Sequence, residues 1–160
     1  VTCVVEGTRP ILAEIQALCA QTTYPAPRRT SAGIDYNRMA LLIAVLEKRA
    51  GIYFNNYDAY LNVVGGIRLD EPSSDLAALM SLASAAKDFI IPDDMVIVGE
   101  VGLSGEVRPV TAIDMRISEA KRLGFKRIMI PFNQKQALNY EGIEILKAKS
   151  VKQAIYYLTN

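Results

Sequence analysis

The chain has no histidine, no tryptophan and only two cysteines, Cys3 and Cys19. Without histidine there can be no Ser-His-Asp or Cys-His nucleophile. Two thiols without an imidazole cannot complete a four-ligand zinc site unless carboxylates join them. What remains available is serine–lysine or carboxylate chemistry. No GxxxxGK[ST] run occurs, so no Walker lysine can meet a nucleotide. No apolar run approaches the roughly 18 residues that span a bilayer, which excludes a helical membrane anchor. The opening, VTCVVEGTRP, shows no basic segment ahead of an apolar one and hence no signal peptide, and it lacks an initiator methionine, as expected of a piece of a longer protein. Charge of one sign is also lacking: the formal net charge is +1 over 160 residues. Any affinity for a polyanion must therefore come from a local basic patch. Cys3 and Cys19 lie in apolar, strand-like runs and read as buried free thiols.

What is present is a globular composition, 51% hydrophobic and 22% charged, expected to form a single domain over residues 1–160. The central stretch is VIVGEVGLSGEVRPV, residues 96–110. Its β-branched runs predict two strands, Val96–Val98 and Glu106–Val110, paired through a glycine-punctuated turn. A helix is predicted to follow from about Ile113 to Leu123, stopped by Gly124. Upstream, residues 2–6 and 11–19 alternate apolar and polar side chains. They predict paired strands around a Gly7-Thr8-Arg9-Pro10 turn. Residues 22–31 read as a proline-stiffened loop carrying Arg28 and Arg29, either solvated surface or planar donors suited to phosphate. Asp35 is expected to cap a largely buried helix reaching about Arg49, with Gly51 as its stop. Residues 59–64 predict a strand broken at Gly65-Gly66. In IRLDEPSSDL, Pro72 suits a helix start and Ser73 or Ser74 its N-cap. Lys87 falls near that helix's C-terminal end. Lys126 and Arg127 precede a short strand, Arg127–Ile130; Asn133 is expected to open a short helix; a strand at 142–146 and a helix at 151–158 complete the chain. Strands alternating with helices give an α/β or α+β class with a mixed sheet.

Two of these segments resemble the proteolytic domain of Lon proteases. VGEVGLSGEVRPV, followed by IDMRISEAKRLGFKRIMIP, is similar to that family's TGE-x-x-L-x-G-x-V-x-P-I-G-G-L-K-E-K run. DEPSSDL resembles its D-G-P-S-A-G, which holds the nucleophilic serine. Four blocks in one order, EGTRPILAEIQAL, PRRTSAGIDYNRMALLIAVLEKRAG, GGIRLDEPSSDLA and GEVGLSGEVRPV, resemble more closely the C-terminal Lon-like domain of the RadA (Sms) family of bacterial RecA paralogues. The resemblance implies a Lon protease-like fold of ribosomal protein S5 domain 2-like architecture. Position by position, Ser73 falls at the protease serine and Asp114 at the dyad lysine, while TAIDMR replaces GGLKEK. Arg116 is the nearest cation. An arginine stays protonated and cannot take a serine's proton, and an aspartate is a weak base. Asp75 stands where the family has a glycine, and its charge is expected to oppose an oxyanion. Ser73 is accordingly read as a helix cap, and the domain as one without a catalytic residue or a metal.

The resemblance also implies the context of a DNA-dependent repair and recombination ATPase. ATP with magnesium, and zinc, are expected only in upstream parts of such a protein, a zinc finger and a RecA-like core. For this domain it implies a cytoplasmic, non-proteolytic scaffold that helps build a hexameric ring and contacts single- or double-stranded DNA, with the recombinase RecA as a partner of the whole. The phosphate-contact candidates are Arg28, Arg29, Lys87, Lys126 and Arg127. An oligomerisation module without DNA contact is the alternative, and a residual serine peptidase the third reading.

Overall fold

A computed structural model describes residues 1–135 and 140–160. The first hairpin pairs β1 (Thr2–Glu6) antiparallel to β2 (Arg9–Ala13), with Gly7-Thr8 alone as the turn. The expected single strand over residues 11–19 is divided at Glu14. Beyond it, β3 (Ile15–Gln21) leaves the hairpin and pairs antiparallel to β5 (Tyr57–Val63). On the other side of β5 lies β4 (Arg29–Ala32), parallel to it, at the end of the expected loop. Nothing in its sequence, RTSA, favours a strand; hydrogen bonding to β5 imposes the extended backbone.

The helix between β4 and β5, α1 (Tyr36–Ala50), has the predicted bounds for the predicted reasons. The Asp35 carboxylate accepts the Arg38 N–H, and Gly51 closes the helix at φ 67°. After a 3-10 turn at Pro72–Ser74 comes α2 (Asp75–Lys87), buried from Asp75 to Ala83 except at Ser81. It packs against β3 and α1.

The second sheet is parallel, in the order β10 (Glu144–Ala148), β9 (Arg127–Pro131), β6 (Met95–Ile97). The predicted central hairpin is corrected here. Val96 and its neighbours pair with β9, and the hairpin is instead the short pair β7 (Glu100–Val101) and β8 (Val107–Arg108). Hydrophobic runs such as MVIV and RIMI suit a strand buried on both faces, and that is how they are used. Met95, Ile97 and Met129 point into a large core with α1, α2 and α4 (Val151–Thr159). Val96, Val98, Ile128 and Ile130 point into a smaller one with Cys3 and α3 (Ile113–Arg122). The expected short helix after Asn133 falls partly on residues 136–139, outside the described residues, and Asn133 itself lies in a turn. No helix among the described residues is long and apolar enough to cross a membrane.

Candidate functional site

The serine of the PSSD segment lies where α2, β1 and the approach to α3 meet. Ser73 is buried, but not as a cap. Its hydroxyl donates to the Glu71 carboxylate and accepts from the Arg116 guanidinium at 2.9 Å. The N-cap position of α2 belongs to Ser74, whose hydroxyl turns back to the Glu71 carbonyl at 2.8 Å and caps nothing. The expectation that Ser73 serves as a cap is thus overturned: the charged Glu71–Arg116 pair offers its hydroxyl stronger partners than backbone N–H groups would.

Arg116 organises this site. It is 1% exposed and its donors are well used. Nε reaches the Thr111 carbonyl at 2.9 Å, Nη1 reaches the Cys3 carbonyl at 2.7 Å, and Nη2 pairs with Glu71. Glu71 also accepts the Val5 N–H at 3.1 Å. Burial raises the Glu71 pKa, but the bonds from Ser73, Arg116 and Val5 outweigh it and hold the carboxyl below its ordinary value. A pocket of about 150 Å³ lies beside Ser73, walled by Pro72, Pro109 and Thr111. Into it the structure places a hydroxyl whose lone pair faces a permanent cation and whose proton faces a carboxylate already engaged by that cation. Both partners of the serine hydroxyl are thus already engaged with each other, and Arg116, a permanent cation, cannot take its proton. The Cys3 thiol is no substitute, since burial pushes it up to about 11.

Asp114 lies two residues before Arg116 on α3, about half a helical turn round from it. It is exposed at the start of α3 and accepts the Tyr140 hydroxyl. Burial and that carboxylate push the Tyr140 phenol up to about 12. Asp75 is a compensated charge. Arg38 pairs with it, Nε lying 2.8 Å from Oδ1, and the Val101 N–H donates to it at 3.1 Å. Two arginine–carboxylate pairs, each with one buried and one partly exposed member, therefore bracket the serine. Only Arg116 was visible from the sequence; Arg38 and Glu71 were masked by their ordinary helical and loop contexts. Ala112, at the start of α3, sits in the left-handed region at φ 53° where the protease pattern has glycine.

The basic candidates divide. Arg28 is exposed and stacks over Tyr24, 3.9 Å from the ring centre. Lys87 and Lys126 are exposed. Arg29 is spent on the fold, since its guanidinium donates to the carbonyls of Tyr57 and Phe54. Arg127 is paired with Asp94 at 2.7 Å. A different group of cations converges where the β7–β8 turn meets the ends of α1 and β10. Arg49 donates to the Leu103 carbonyl at 3.2 Å. The Val107 N–H bonds to the Lys149 carbonyl at 2.9 Å, which brings exposed Arg108, Lys149 and Lys152 into one neighbourhood. Lys149 Nζ lies 4.3 Å from the centre of the half-exposed Phe132 ring. These residues are scattered through the sequence, and only the β8 to β10 contact assembles them. Among the described residues no group of three or more His, Cys, Asp or Glu side chains is arranged to hold a metal.

Residues 32–155 match the Lon protease (S16) C-terminal proteolytic domain. The chain belongs to that family. Within it, this Lon-family chain is 49% identical over 156 residues to the DNA repair protein RadA of Bacillus subtilis, covering 97% of itself and 34% of that relative. It is 44% identical over 155 residues to RadA of Haemophilus influenzae, and 42% identical over 155 residues to RadA of Synechocystis. Those alignments cover 97% of this chain and 34% and 30% of the two relatives. The chain thus spans about a third of the length of the curated relatives it matches.

Proposed function

We propose that this chain is the non-proteolytic Lon-like part of a RadA-type DNA repair and recombination ATPase of the cytoplasm. It serves as a scaffold for ring assembly and for sequence-independent contact with DNA. The observation that carries the reading is the occupied serine. A family built for peptide hydrolysis here has its nucleophile fixed between Glu71 and Arg116, while the chain's relatives are DNA repair proteins. ATP, magnesium and zinc belong, on this reading, to the remainder of the parent protein, as does the contact with RecA.

The phosphate contacts fall to exposed cations without a carboxylate partner. Arg28, Lys87 and Lys126 remain from the sequence, and Arg49, Lys149 and Lys152 join them, while neighbouring Arg108 faces the Glu106 carboxylate at 4.0 Å. Phe132 beside Lys149 adds an aromatic face suited to an unpaired base. Arg29 and Arg127 drop out, because engaging a phosphate would cost the bonds they already make.

The test is fluorescence anisotropy of labelled single- and double-stranded DNA over a salt series, with Arg49→Ala/Lys149→Ala and Arg28→Ala/Lys126→Ala beside the wild type. Each lost phosphate contact should reduce the log–log salt slope on duplex DNA by about 0.9. Unchanged slopes in both variants would remove these cations from the interface. No binding at low salt, together with an assembled particle by sizing, would favour an oligomerisation module instead. Casein hydrolysis should stay at background in wild type and Ser73→Ala alike.

A further inference from the structure

Phe132 and Lys149 meet at the end of the parallel sheet, and the backbone of each is fixed. The Phe132 N–H bonds to the Ala148 carbonyl at 2.9 Å, which carries the β9–β10 ladder one residue further. The Val107 N–H bonds to the Lys149 carbonyl at 2.9 Å, and the Lys149 N–H bonds to the Gln153 side chain at 2.7 Å. Gln153 and Ser150 form the capping box of α4, since the Gln153 N–H returns to the Ser150 hydroxyl at 3.1 Å. The two side chains are held far less. The Phe132 ring is 43% exposed, and the Lys149 ammonium rests 4.3 Å from its centre. Among the described residues no carboxylate lies within ion-pair distance of that ammonium. Glu106, whose backbone bridges to Ser150, turns its carboxylate to the Ser104 N–H at 3.2 Å and to Arg108 at 4.0 Å. A cation over an exposed ring shifts an equilibrium by only about 2- to 5-fold, so Lys149 leaves it readily.

We infer that Phe132 and Lys149 are an exchange pair that takes an unpaired nucleotide of a single DNA strand. In the free chain the ammonium is parked on the ring. An arriving strand offers each member a stronger partner: a phosphate oxygen for the ammonium, and the flat face of a base for the ring it leaves. The phosphate forms a charge-assisted bond, and stacking of a base on an aromatic side chain is worth about 5- to 150-fold. Ring and ammonium, 4.3 Å apart on fixed backbones, are close enough for one nucleotide to meet both. Duplex DNA offers the phosphate alone. Its bases stack on one another, so drawing Lys149 away leaves the ring to water and loses the cation–π contact. The pair thus favours a single strand over a duplex, while exposed Arg49 and Lys152 serve the phosphates of both. It reads no sequence, since every base has a flat face. The pair has this role only if the chain contacts DNA as proposed above; what it adds is the kind of strand the site accepts and the ring that selects it.

Anisotropy of the 160-residue chain with three labelled probes of equal length tests this: an oligothymidine strand, the same strand abasic throughout, and a duplex. Wild type should hold the thymidine strand at least about 5-fold tighter than the abasic strand, which carries the same phosphates. Phe132→Leu, a change at a half-exposed position that keeps the backbone N–H, should erase that difference. On duplex it should leave affinity unchanged or raise it up to about 5-fold, since Lys149 no longer has a ring to leave. Phe132→Trp should restore the preference for bases. Lys149→Ala should reduce the log–log salt slope by about 0.7 on the single strand and about 0.9 on duplex, whereas Phe132→Leu should leave both slopes in place. Wild type that binds thymidine and abasic strands alike overturns the inference without any variant. So does a Phe132→Leu chain of native far-ultraviolet spectrum that weakens on single strand and duplex equally. In both cases binding persists, so the contact with DNA stands while the exchange pair falls. Absence of binding to all three probes at low salt overturns both readings.

Discussion

Replacing Arg116 by methionine should be among the most damaging single changes in the chain. Methionine keeps most of the aliphatic volume and removes the guanidinium. The carbonyls of Cys3 and Thr111, the Ser73 hydroxyl and the Glu71 carboxylate then lose a donor together. Breaking a buried ion pair from one side costs about 3–5 kcal/mol, because the abandoned charge stays buried. Glu71 keeps some access to water, its side chain being 28% exposed, so the lower half of that range applies. At about 2–4 °C per kcal/mol for a chain of this size, the melting midpoint should fall by about 6–16 °C. Differential scanning calorimetry of Arg116→Met beside Arg122→Met measures it. Arg122 carries an ion pair with Glu119 at the surface, and its loss should leave the midpoint in place. The double variant Glu71→Gln/Arg116→Met should lose less than the two single losses added together, because the stranded charge is gone. A drop of less than about 2 °C for Arg116→Met would refute the view that this residue ties β1, the serine turn and the approach to α3 together.

Two further outcomes follow from the same region. The Glu71 pKa lies below its ordinary value in the folded chain, so its contribution to stability is complete above the unfolded carboxylate pKa of about 4.3 and is lost as pH falls through the folded value. Thermal melts of wild type and Glu71→Gln should therefore converge below about pH 4 and separate above it; a constant difference across that window would show that its ionisation does not matter. At Ala112, φ 53° costs an L-residue roughly 1–2 kcal/mol, part of which glycine returns as chain entropy. Ala112→Gly should raise the midpoint by about 1–4 °C and Ala112→Val should lower it; the reverse order in a melting series would deny that the turn imposes this backbone.

Much of the fold was legible where one local cause decides an element. Asp35 and Gly51 bound α1 because a carboxylate cap and a left-handed stop act within a few residues. What failed were the pairings. Nothing local distinguishes Val96 pairing with a neighbouring strand from Val96 pairing with Ile128, 32 positions on, since both bury a β-branched run. β4 was missed because its reason to be extended is β5, not its own side chains. At the serine, the sequence identified the lost lysine and the nearest cation, but not that Arg116 reaches back 43 positions to Ser73. Nor could it assign Arg29 and Arg127 to structural duty, because whether a surface arginine is free depends on carbonyls and carboxylates brought near by folding.

The clasp on Ser73 also bears on what a working Ser-Lys dyad would need in this chain. Asp114→Lys alone restores the dyad letter but not the dyad. The new ammonium would start from an exposed position beside Tyr140, and the serine's lone pair would still face Arg116 while its proton still faced Glu71. Removing Arg116 first strands Glu71 and weakens the fold that any catalyst would need. Building a dyad here therefore requires several substitutions together, and each taken singly is neutral or harmful. The guanidinium thus works as a lock with no single key: the same contacts that hold the turn together also hold the hydroxyl shut.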